Sequence, residues 1–345
     1  MPKRLPVRGE TVTLAHGSGG RAMRALIDSV FLDAFADTAV DEKDDAALVD
    51  FDSSGGDRLV FTTDAFVIDP IVFPGGDLGK LAVCGTVNDL AVAGARPAAL
   101  SAAFIIEAGF PVADLTRLAK SMAQAATAAD VKIVTGDTKV VDRGAADKVF
   151  ITTSGIGVLP KGRDFGAHKV ASGDKIIVSD AIGAHGAAVM AARGDLKLQT
   201  ELCSDCKPLS GLVEALIAVA PSLRLLRDAT RGGVATVLCE FALAAKLGIR
   251  IHEDSLVVSD PVRGIAEILG LDPLYLANEG VFVAVVASAD AALCCQTLRA
   301  LPGGAGAAVI GEVVDDYPGE VVLVSPFGGE RLVDMLDGEQ LPRIC

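Results

Sequence analysis

The chain alternates strand-like apolar runs with longer segments of helical period, and this alternation occurs in both halves. Runs rich in Val and Ile between helical segments are typical of helices packed on sheets, so the pattern predicts an α/β (α+β) fold. In the first half the predicted strands are Leu59–Thr62, Val131–Val134 and Val149–Thr153, and the predicted helices are Leu78–Ala93 and Asp114–Ala129. Asp77 is a suitable N-cap for the first helix, and Gly94 a suitable stop.

The second half predicts strands at Lys175–Val178, Val281–Val286 and Val321–Val324 and a helix at Arg231–Leu247. A chain of 345 residues is long for one core, so two domains are expected. The Gly- and Pro-containing stretch Gly155–Gly173 is the predicted boundary. We therefore expect domains at residues 1–165 and 166–325, followed by a mobile tail at 326–345.

The net charge and the apolar pattern of the chain limit which partners and which compartment are expected. A formal charge of −14 disfavours nucleic acid and anionic membranes, and every apolar stretch is interrupted before it could span a bilayer. The start of the chain lacks the apolar core of a signal peptide, and seven scattered Cys predict reduced thiols. These features predict a cytoplasmic protein.

Acidic residues are placed at the ends of predicted elements or within a helix. Asp44 and Asp45 precede a strand, Asp64 ends one, Asp89 follows Asn88 in the first helix, and Asp137 follows a strand. Mg²⁺ prefers oxygen ligands and usually bridges carboxylates to nucleotide phosphates. Carboxylates converging from separate segments therefore predict a Mg-ATP site, although each could instead serve as a local cap or ion-pair partner.

Asp89 is the most informative of these acids, because the periodicity of its helix places it on the apolar stripe. A buried carboxylate without a partner is costly, which favours a functional role.

The loop His16–Arg21 is rich in Gly and leads into a helical run, so its backbone N–H groups could hold phosphate. It matches neither a Walker A loop nor a dinucleotide fingerprint, and a flexible linker is the simpler alternative.

Two further segments, Gly136–Lys139 and Arg227–Gly233, each combine an acid, a cation and a glycine where phosphate or metal could approach the backbone. Asn278–Gly280 places Glu279 before a strand. Surface turns are the alternative for all three. The pair Cys203 and Cys206 lacks the additional ligands of a zinc site and is interpreted as ordinary core or loop thiols.

Seven motifs together carry a family resemblance. They are Ala15–Gly20, Asp44–Ala47, Thr63–Ala65, Asn88–Ala91, Gly136–Lys139, Arg227–Gly233 and the terminal Pro342–Cys345. The acidic motifs resemble the superfamily of aminoimidazole ribonucleotide synthetase, selenophosphate synthetase and thiamine-monophosphate kinase. The terminal motif makes the resemblance specific, and over nearly the whole chain the sequence resembles the HypE family of hydrogenase maturation proteins.

The resemblance implies an aminoimidazole ribonucleotide synthetase-like fold. Its N-terminal domain dimerises by joining sheets around the ATP site, an α/β domain follows, and the C-terminal tail is flexible. The implied activity is ATP-dependent dehydration of a carbamoyl group on Cys345 to a thiocyanate, giving ADP and phosphate. The carbamoyl donor is the partner HypF, and the HypC–HypD complex accepts the cyanide as a ligand for the iron of [NiFe]-hydrogenase.

The resemblance also implies residue roles. The carrier thiol is Cys345, and the candidates for a proton relay are Lys139 and Glu279. The candidate nucleotide-binding residues are Gly17, Ser18, Gly19, Gly20, Asp64, Asn88, Asp137, Thr138, Asp228 and Thr230. The candidate Mg²⁺ ligands are Asp45, Asp64, Asp89, Asp137 and Asp228.

Two other functions remain open from the sequence. An enzyme on the same scaffold that phosphorylates a free small molecule would use the same acids without needing Cys345. A non-enzymatic scaffold that docks maturation factors through its tail would release no phosphate and would be indifferent to Asp89→Asn.

Overall fold

The computed structural model describes residues 15, 20–31, 47–49, 56–193, 200–336, 341 and 343–345. Within them the chain builds two sheets in succession, each covered by helices, which confirms the predicted α/β class.

The strands of the first half are β1 (Ala47–Val49), β2 (Arg58–Phe66), β3 (Val72–Phe73), β4 (Gly76–Asp77), β5 (Arg96–Glu107), β6 (Lys132–Val141) and β7 (Val149–Leu159). The first sheet has the order β1-β2-β7-β5-β6, and β3 and β4 form a separate hairpin. Only the β5–β6 pair is parallel, because a helical crossover joins these two strands.

The helices of the first half are α1 (Arg21–Leu26), which continues as a wider turn over Ile27–Phe31, α2 (Leu78–Val92) and α3 (Val112–Ala128). The predicted limits of α2 are confirmed: the Asp77 side chain caps it by accepting from Lys80 N at 3.0 Å, and Gly94 follows with a positive φ of 82°. Thirteen of its fifteen residues are buried. The helix is therefore buried on nearly all sides, rather than presenting the single apolar stripe that the sequence suggested. Asp89, which the sequence placed on that stripe, is one of the two helix residues that are only partly buried.

The strands of the second half are β8 (Lys175–Val178), β9 (Leu223–Asp228), β10 (Gly248–His252), β11 (Phe282–Val286), β12 (Ala308–Val314), β13 (Val321–Val324) and β14 (Glu330–Val333). The second sheet has the order β14-β13-β10-β12-β8-β11-β9, with only β10 and β13 parallel. The helices are α4 (Ala184–Ala192), α5 (Ser210–Val219), α6 (Gly233–Ala245), α7 (Asp260–Leu269) and α8 (Ser288–Arg299).

Helix α6 is shorter than the predicted Arg231–Leu247. Gly232 and Gly233 have positive φ angles of 78° and 61°, and Lys246 has a positive φ of 58°. These residues form turns at the two ends, so the helix spans Gly233–Ala245.

Two other sequence predictions need correction. The first five residues of the predicted boundary stretch, Gly155–Leu159, lie within β7, so the connection starts only after Leu159. The tail is also not free from residue 326, because β14 pairs antiparallel with β13 through Val321↔Val333. A hairpin buries Val333 in the second core, and that gain outweighs the freedom of a loose chain.

Candidate active site

The C-terminal tripeptide Arg343-Ile344-Cys345 lies inside the protein. Ile344 and Cys345 are 4% and 8% exposed, and both belong to a core cluster that includes Cys84 of α2 and Ala277 of the second half. The last thiol of the chain therefore lies where residues from both halves meet.

Main-chain hydrogen bonds hold this tripeptide. Val67 N donates to Cys345 O at 3.2 Å and Asp69 N donates to Arg343 O at 3.1 Å, so the two segments run antiparallel. Arg193 Nη2 donates to Arg343 O at 3.0 Å. The Arg343 side chain donates to Val67 O at 3.1 Å and forms an ion pair with Asp147.

A buried histidine completes the contacts to the tripeptide. His185 Nε2 lies 2.8 Å from Ile344 O, Nδ1 lies 2.8 Å from Ser204 Oγ, and the ring meets Phe73 edge to face. Burial lowers the pKa of His185 to about 4, although the bond to Ile344 opposes the shift. The ring is therefore neutral near pH 7, with Nε2–H donating to Ile344 and Nδ1 accepting from Ser204.

The Arg231 guanidinium and several carboxyl groups surround the Cys345 thiol. Burial raises the pKa of the Cys345 thiol to about 12; the Arg231 guanidinium opposes the shift, while Glu279, Asp64 and Asp228 add to it. Cys345 in turn is the largest cause of a raised pKa at Arg231. In this position the thiol is protonated near neutral pH.

Asp64 and Asp89, from β2 and α2, are two of the acids that the sequence predicted to converge, and they lie together. Their side chains hydrogen-bond to each other, and Thr62 Oγ1 donates to Asp89 Oδ2 at 2.7 Å. Burial raises the pKa of Asp64, while Arg231 and the hydrogen bonds that Asp64 makes with Asp89 and Thr86 oppose the shift. Two carboxylates so close share a proton or a cation.

Asp228 and Thr230 lie on the turn between β9 and α6. Asp228 is the last residue of β9 and is buried, and Thr230 O accepts from Gly233 N at 2.9 Å. The same turn carries Arg231, so it brings an acid and the cation near Cys345 to one place.

Glu279 enters the site from the second half and is 2% exposed. Burial raises its pKa well above the ordinary range, and Asp228 and Asp205 raise it further. Its Oε1 is buried and makes no hydrogen bond within the described part of the chain. A protonatable oxygen of this kind suits proton transfer.

Asn88, on α2, is directed at the second half. Its Nδ2 donates to Lys207 O at 3.1 Å and to Glu279 O at 3.3 Å, and its Oδ1 accepts from Leu209 N at 2.8 Å. These bonds link α2 to the backbone of the second half.

The single chain does not bring Asp137, Thr138 and Lys139 to Cys345. Asp137 lies within β6 rather than after it, three strands from β2, which is roughly 14 Å across the sheet. Thr138 N donates to Asp137 Oδ1 at 2.8 Å, and Lys139 pairs with Asp137 at 3.5 Å. Asp137 and Thr138 line an open cavity of about 610 Å³ on the face of β5 and β6.

Four predicted residues, Gly17, Ser18, Gly19 and Asp45, lie outside the described residues. Gly20 is described and packs against the C-terminal segment, since a Cβ there would lie 2.2 Å from Leu336 O. Among the described residues no group of three or more His, Cys, Asp or Glu side chains is arranged to hold a metal ion. Cys203 is exposed, whereas Cys206 is buried and hydrogen-bonds Cys84.

Sequence reasoning missed three residues of the site as individual contributors: Arg231, Asp205 and His185. Arg231 lies within the motif Arg227–Gly233, but the motif alone does not indicate that this cation acts on Cys345. Asp205 accepts from Glu279 N and Gly280 N at 3.1 to 3.3 Å. For Asp205 and His185 the sequence carries no signal, because their partners are distant in the chain.

In the described residues, no helix combines the length and the apolarity needed to cross a bilayer. The model of the AIR synthase related protein N-terminal domain matches residues 43–159, and that of the C-terminal domain matches residues 171–324. The carbamoyl dehydratase HypE of Rhodobacter capsulatus is 54% identical over 344 residues, which is 99% of this chain and 100% of the relative.

Solved structures agree with these matches. One of a HypE–HypF complex aligns with a TM-score of 0.84 at 46% identity, covering 90% of this chain and 100% of that one. One of HypE in complex with ATP aligns with a TM-score of 0.81 at 42% identity, covering 96% and 100%. The resemblance drawn from the motifs is confirmed: the chain belongs to the AIR synthase related proteins and, among them, to the HypE family of carbamoyl dehydratases.

Proposed function

We propose that this chain carries a carbamoyl group on Cys345 and, with ATP, dehydrates it to a thiocyanate for [NiFe]-hydrogenase maturation. The observation that carries the proposal is the C-terminal thiol, which lies inside the protein beside Arg231 and close to the acids Glu279, Asp64 and Asp228. A kinase for a free small molecule has no need to bury its own last residue in its site.

The reaction balances as thiocarbamate plus ATP giving thiocyanate, ADP, phosphate and a proton. ATP supplies the phosphoryl group that turns the carbamoyl oxygen into a leaving group. The carbon–oxygen bond then breaks, while the nitrogen loses both its protons and forms the triple bond to carbon.

The chain's own residues fit these needs. Glu279 is a buried carboxyl with a raised pKa, so its carboxylate form is a stronger base than an exposed Glu, which suits removal of a proton from the nitrogen. Arg231 is the cation that faces Cys345, so it is suited to neutralise negative charge that develops on the carbamoyl oxygen. Burial of the tripeptide keeps water from the loaded sulfur.

The nucleotide and Mg²⁺ assignments rest on donor chemistry. Asp64 and Asp89 offer paired carboxylate oxygens, which suit Mg²⁺, and we assign Asp45 and Asp228 as further candidate ligands. Asp137, three strands away in the single chain, is a candidate ligand only where a second copy brings its strand to the site. The open cavity beside Asp137 and Thr138 has the size of a nucleotide pocket. Gly17–Gly20 and Thr230 complete the proposed nucleotide set.

A homodimer is proposed from the surface of the first sheet. Among the strands of the described residues, β6 pairs on one side only, and its apolar side chains are exposed, with Val134 at 63% and Val140 at 67%. Phe61, Ile105 and Ile156 on the same sheet are also exposed. A second copy that covers this surface would bury these groups and enclose Asp137 and Lys139, which gives Lys139 a place in the proton relay.

Delivery requires the tail to leave the site. The docked thiol is protonated, so we propose that HypF loads Cys345 in an undocked state and that the HypC–HypD complex takes the cyanide from a second undocked state. The compartment is the cytoplasm, where thiols remain reduced.

The test is a mass measurement on the C-terminal peptide. Incubation with the carbamoyl donor system should add one carbamoyl group, and Mg-ATP should then remove one water. A Cys345→Ala chain that still supports hydrogenase maturation would refute the carrier role. A loaded chain that releases no phosphate would favour a scaffold.

A further inference from the structure

The amide side chain of Asn88 is fully occupied by the protein itself. Asn88 is 1% exposed. Its two N–H groups go to the carbonyls of Lys207 and Glu279, and its oxygen accepts from Leu209 N. A flipped amide would set oxygen against two carbonyls, so the orientation is fixed and no donor remains for a nucleotide.

One residue that Asn88 holds is Glu279, and it holds the backbone rather than the carboxyl. Glu279 O accepts from Asn88 Nδ2 and from Lys207 N, each at 3.3 Å. On the other side, the Asp205 carboxylate accepts from Glu279 N and Gly280 N. Asn88 and Asp205 therefore hydrogen-bond the peptide groups on both sides of the Glu279 Cα.

These backbone hydrogen bonds matter because few other contacts orient the Glu279 carboxyl group. Glu279 Oε1 makes no hydrogen bond in the described part of the chain. Gly280 packs so tightly that a Cβ there would lie 2.0 Å from Asp205 O. The direction of the carboxyl is thus set mainly through its backbone.

Helix α2 connects Glu279 with the Asp64–Asp89 pair. Asn88 fixes the backbone of Glu279, and the next residue, Asp89, hydrogen-bonds Asp64 and Thr62 in the first half. Asn88 and Asp89 are consecutive residues of one helix and point about 100° apart. This dipeptide therefore fixes the backbone of Glu279 relative to the Asp64–Asp89 pair.

We infer that Asn88 is a positioning residue, which acts on the reaction by fixing Glu279 against the Asp64–Asp89 pair and not by contacting nucleotide. This revises the nucleotide-binding role assigned to Asn88 above, and it rests on the proposed dehydration. If the loaded wild-type chain loses no water with Mg-ATP, the proposed function fails whatever Asn88 does.

The test is a double-mutant cycle on the full-length, carbamoyl-loaded protein. Asn88→Ala should slow water loss from the C-terminal peptide by about 10- to 100-fold, as expected from a small displacement of a reacting group. The KM for ATP should stay within about twofold, because no nucleotide contact is lost. In the Glu279→Gln background, Asn88→Ala should slow water loss no further, because its effect passes through Glu279.

The control is Glu214→Gln, which weakens the salt bridge to Arg163 without touching Glu279. Its rate of water loss should stay at the wild-type level. A raised KM for ATP with an unchanged rate would restore the nucleotide role and overturn the inference. An undiminished loss of rate in the Glu279→Gln background, or an equal loss in the control, would overturn it as well.

Should Asn88→Ala fail to fold, Asp205→Asn replaces it in the same cycle. Asp205→Asn weakens the hydrogen bond that Glu279 N donates on the other side of the residue. This variant should therefore reproduce the loss of rate, the unchanged KM and the non-additivity with Glu279→Gln. A rate equal to that of wild type would count against the inference.

Discussion

The imidazole Nε2 of His185 lies 2.8 Å from the carbonyl oxygen of Ile344. This bond joins the N-terminal turn of α4 to the penultimate residue, and both partners are buried. Together with the bonds from Val67, Asp69 and Arg193, it holds the tripeptide by its main chain.

His185→Ala should loosen the docked tripeptide. Loss of a buried hydrogen bond of about 1 kcal/mol, together with the cavity left by the ring, should raise the undocked population roughly tenfold. Alkylation of Cys345 by iodoacetamide, followed by mass spectrometry of the C-terminal peptide, measures this. His168→Ala, at an exposed histidine beside Asp164, should leave the rate unchanged. Equal alkylation in all three proteins would show that His185 does not hold the tail.

Docking of the tail should weaken at high pH. The pKa of Cys345 is raised to about 12 in the docked state, against about 8.5 for a free thiol. A raised pKa stabilises docking fully below the free-thiol value and progressively less as pH rises from about 8.5 toward 12. Trypsin cleavage after Arg343, normalised to a free peptide at each pH, should therefore accelerate over this range.

Cys345→Ser is the control for this pH dependence, because a hydroxyl does not titrate there. Its normalised cleavage should stay flat above pH 8.5. A wild-type profile as flat as that of the Ser variant would contradict the prediction.

Gly280→Ala should destabilise the protein. Its Cβ would lie 2.0 Å from Asp205 O, and such overpacking costs about 1–3 kcal/mol in unfolding free energy. Gly264→Ala is matched to it, because Gly264 lies in α7 with no atom within 4 Å of the new Cβ. That change should stabilise by about 0.5–1 kcal/mol. Urea unfolding separates the two, and equal midpoints would contradict the packing at Gly280.

A charge on β6 should prevent the proposed dimer. Val134→Lys places an ammonium on the exposed apolar strand, where burial against a second copy would be costly. Sedimentation velocity should then show a monomer where wild type is a dimer. Val112→Lys, on α3 and 77% exposed, should leave the mass unchanged. A monomeric wild type would contradict the dimer itself.

Local chemistry made α2 predictable, since Asp77 and Gly94 mark its ends within the sequence. The approach of Asp64 to Asp89 was expected from the chemistry of a Mg-ATP site, because the cation brings together carboxylates from separate elements. The partners of Asn88 could not be foreseen, because Lys207, Leu209 and Glu279 are more than a hundred residues away. The docked tripeptide was equally hidden, since a Pro- and Gly-containing end looks free until the segment Val67–Asp69 is seen to pair with it.

The pairing of β14 with β13 also limits where the terminal sulfur can travel. Because Val333 is held in the sheet, the sulfur of Cys345, twelve residues later in the chain, can lie no farther than roughly 40 Å from it. Any enzyme that loads or unloads the thiol must place its own catalytic centre within that radius of Val333. Loading and unloading of the thiol are therefore confined to proteins that dock at this end of the molecule. The short connection to Val333 also keeps the sulfur at a high local concentration near its own site.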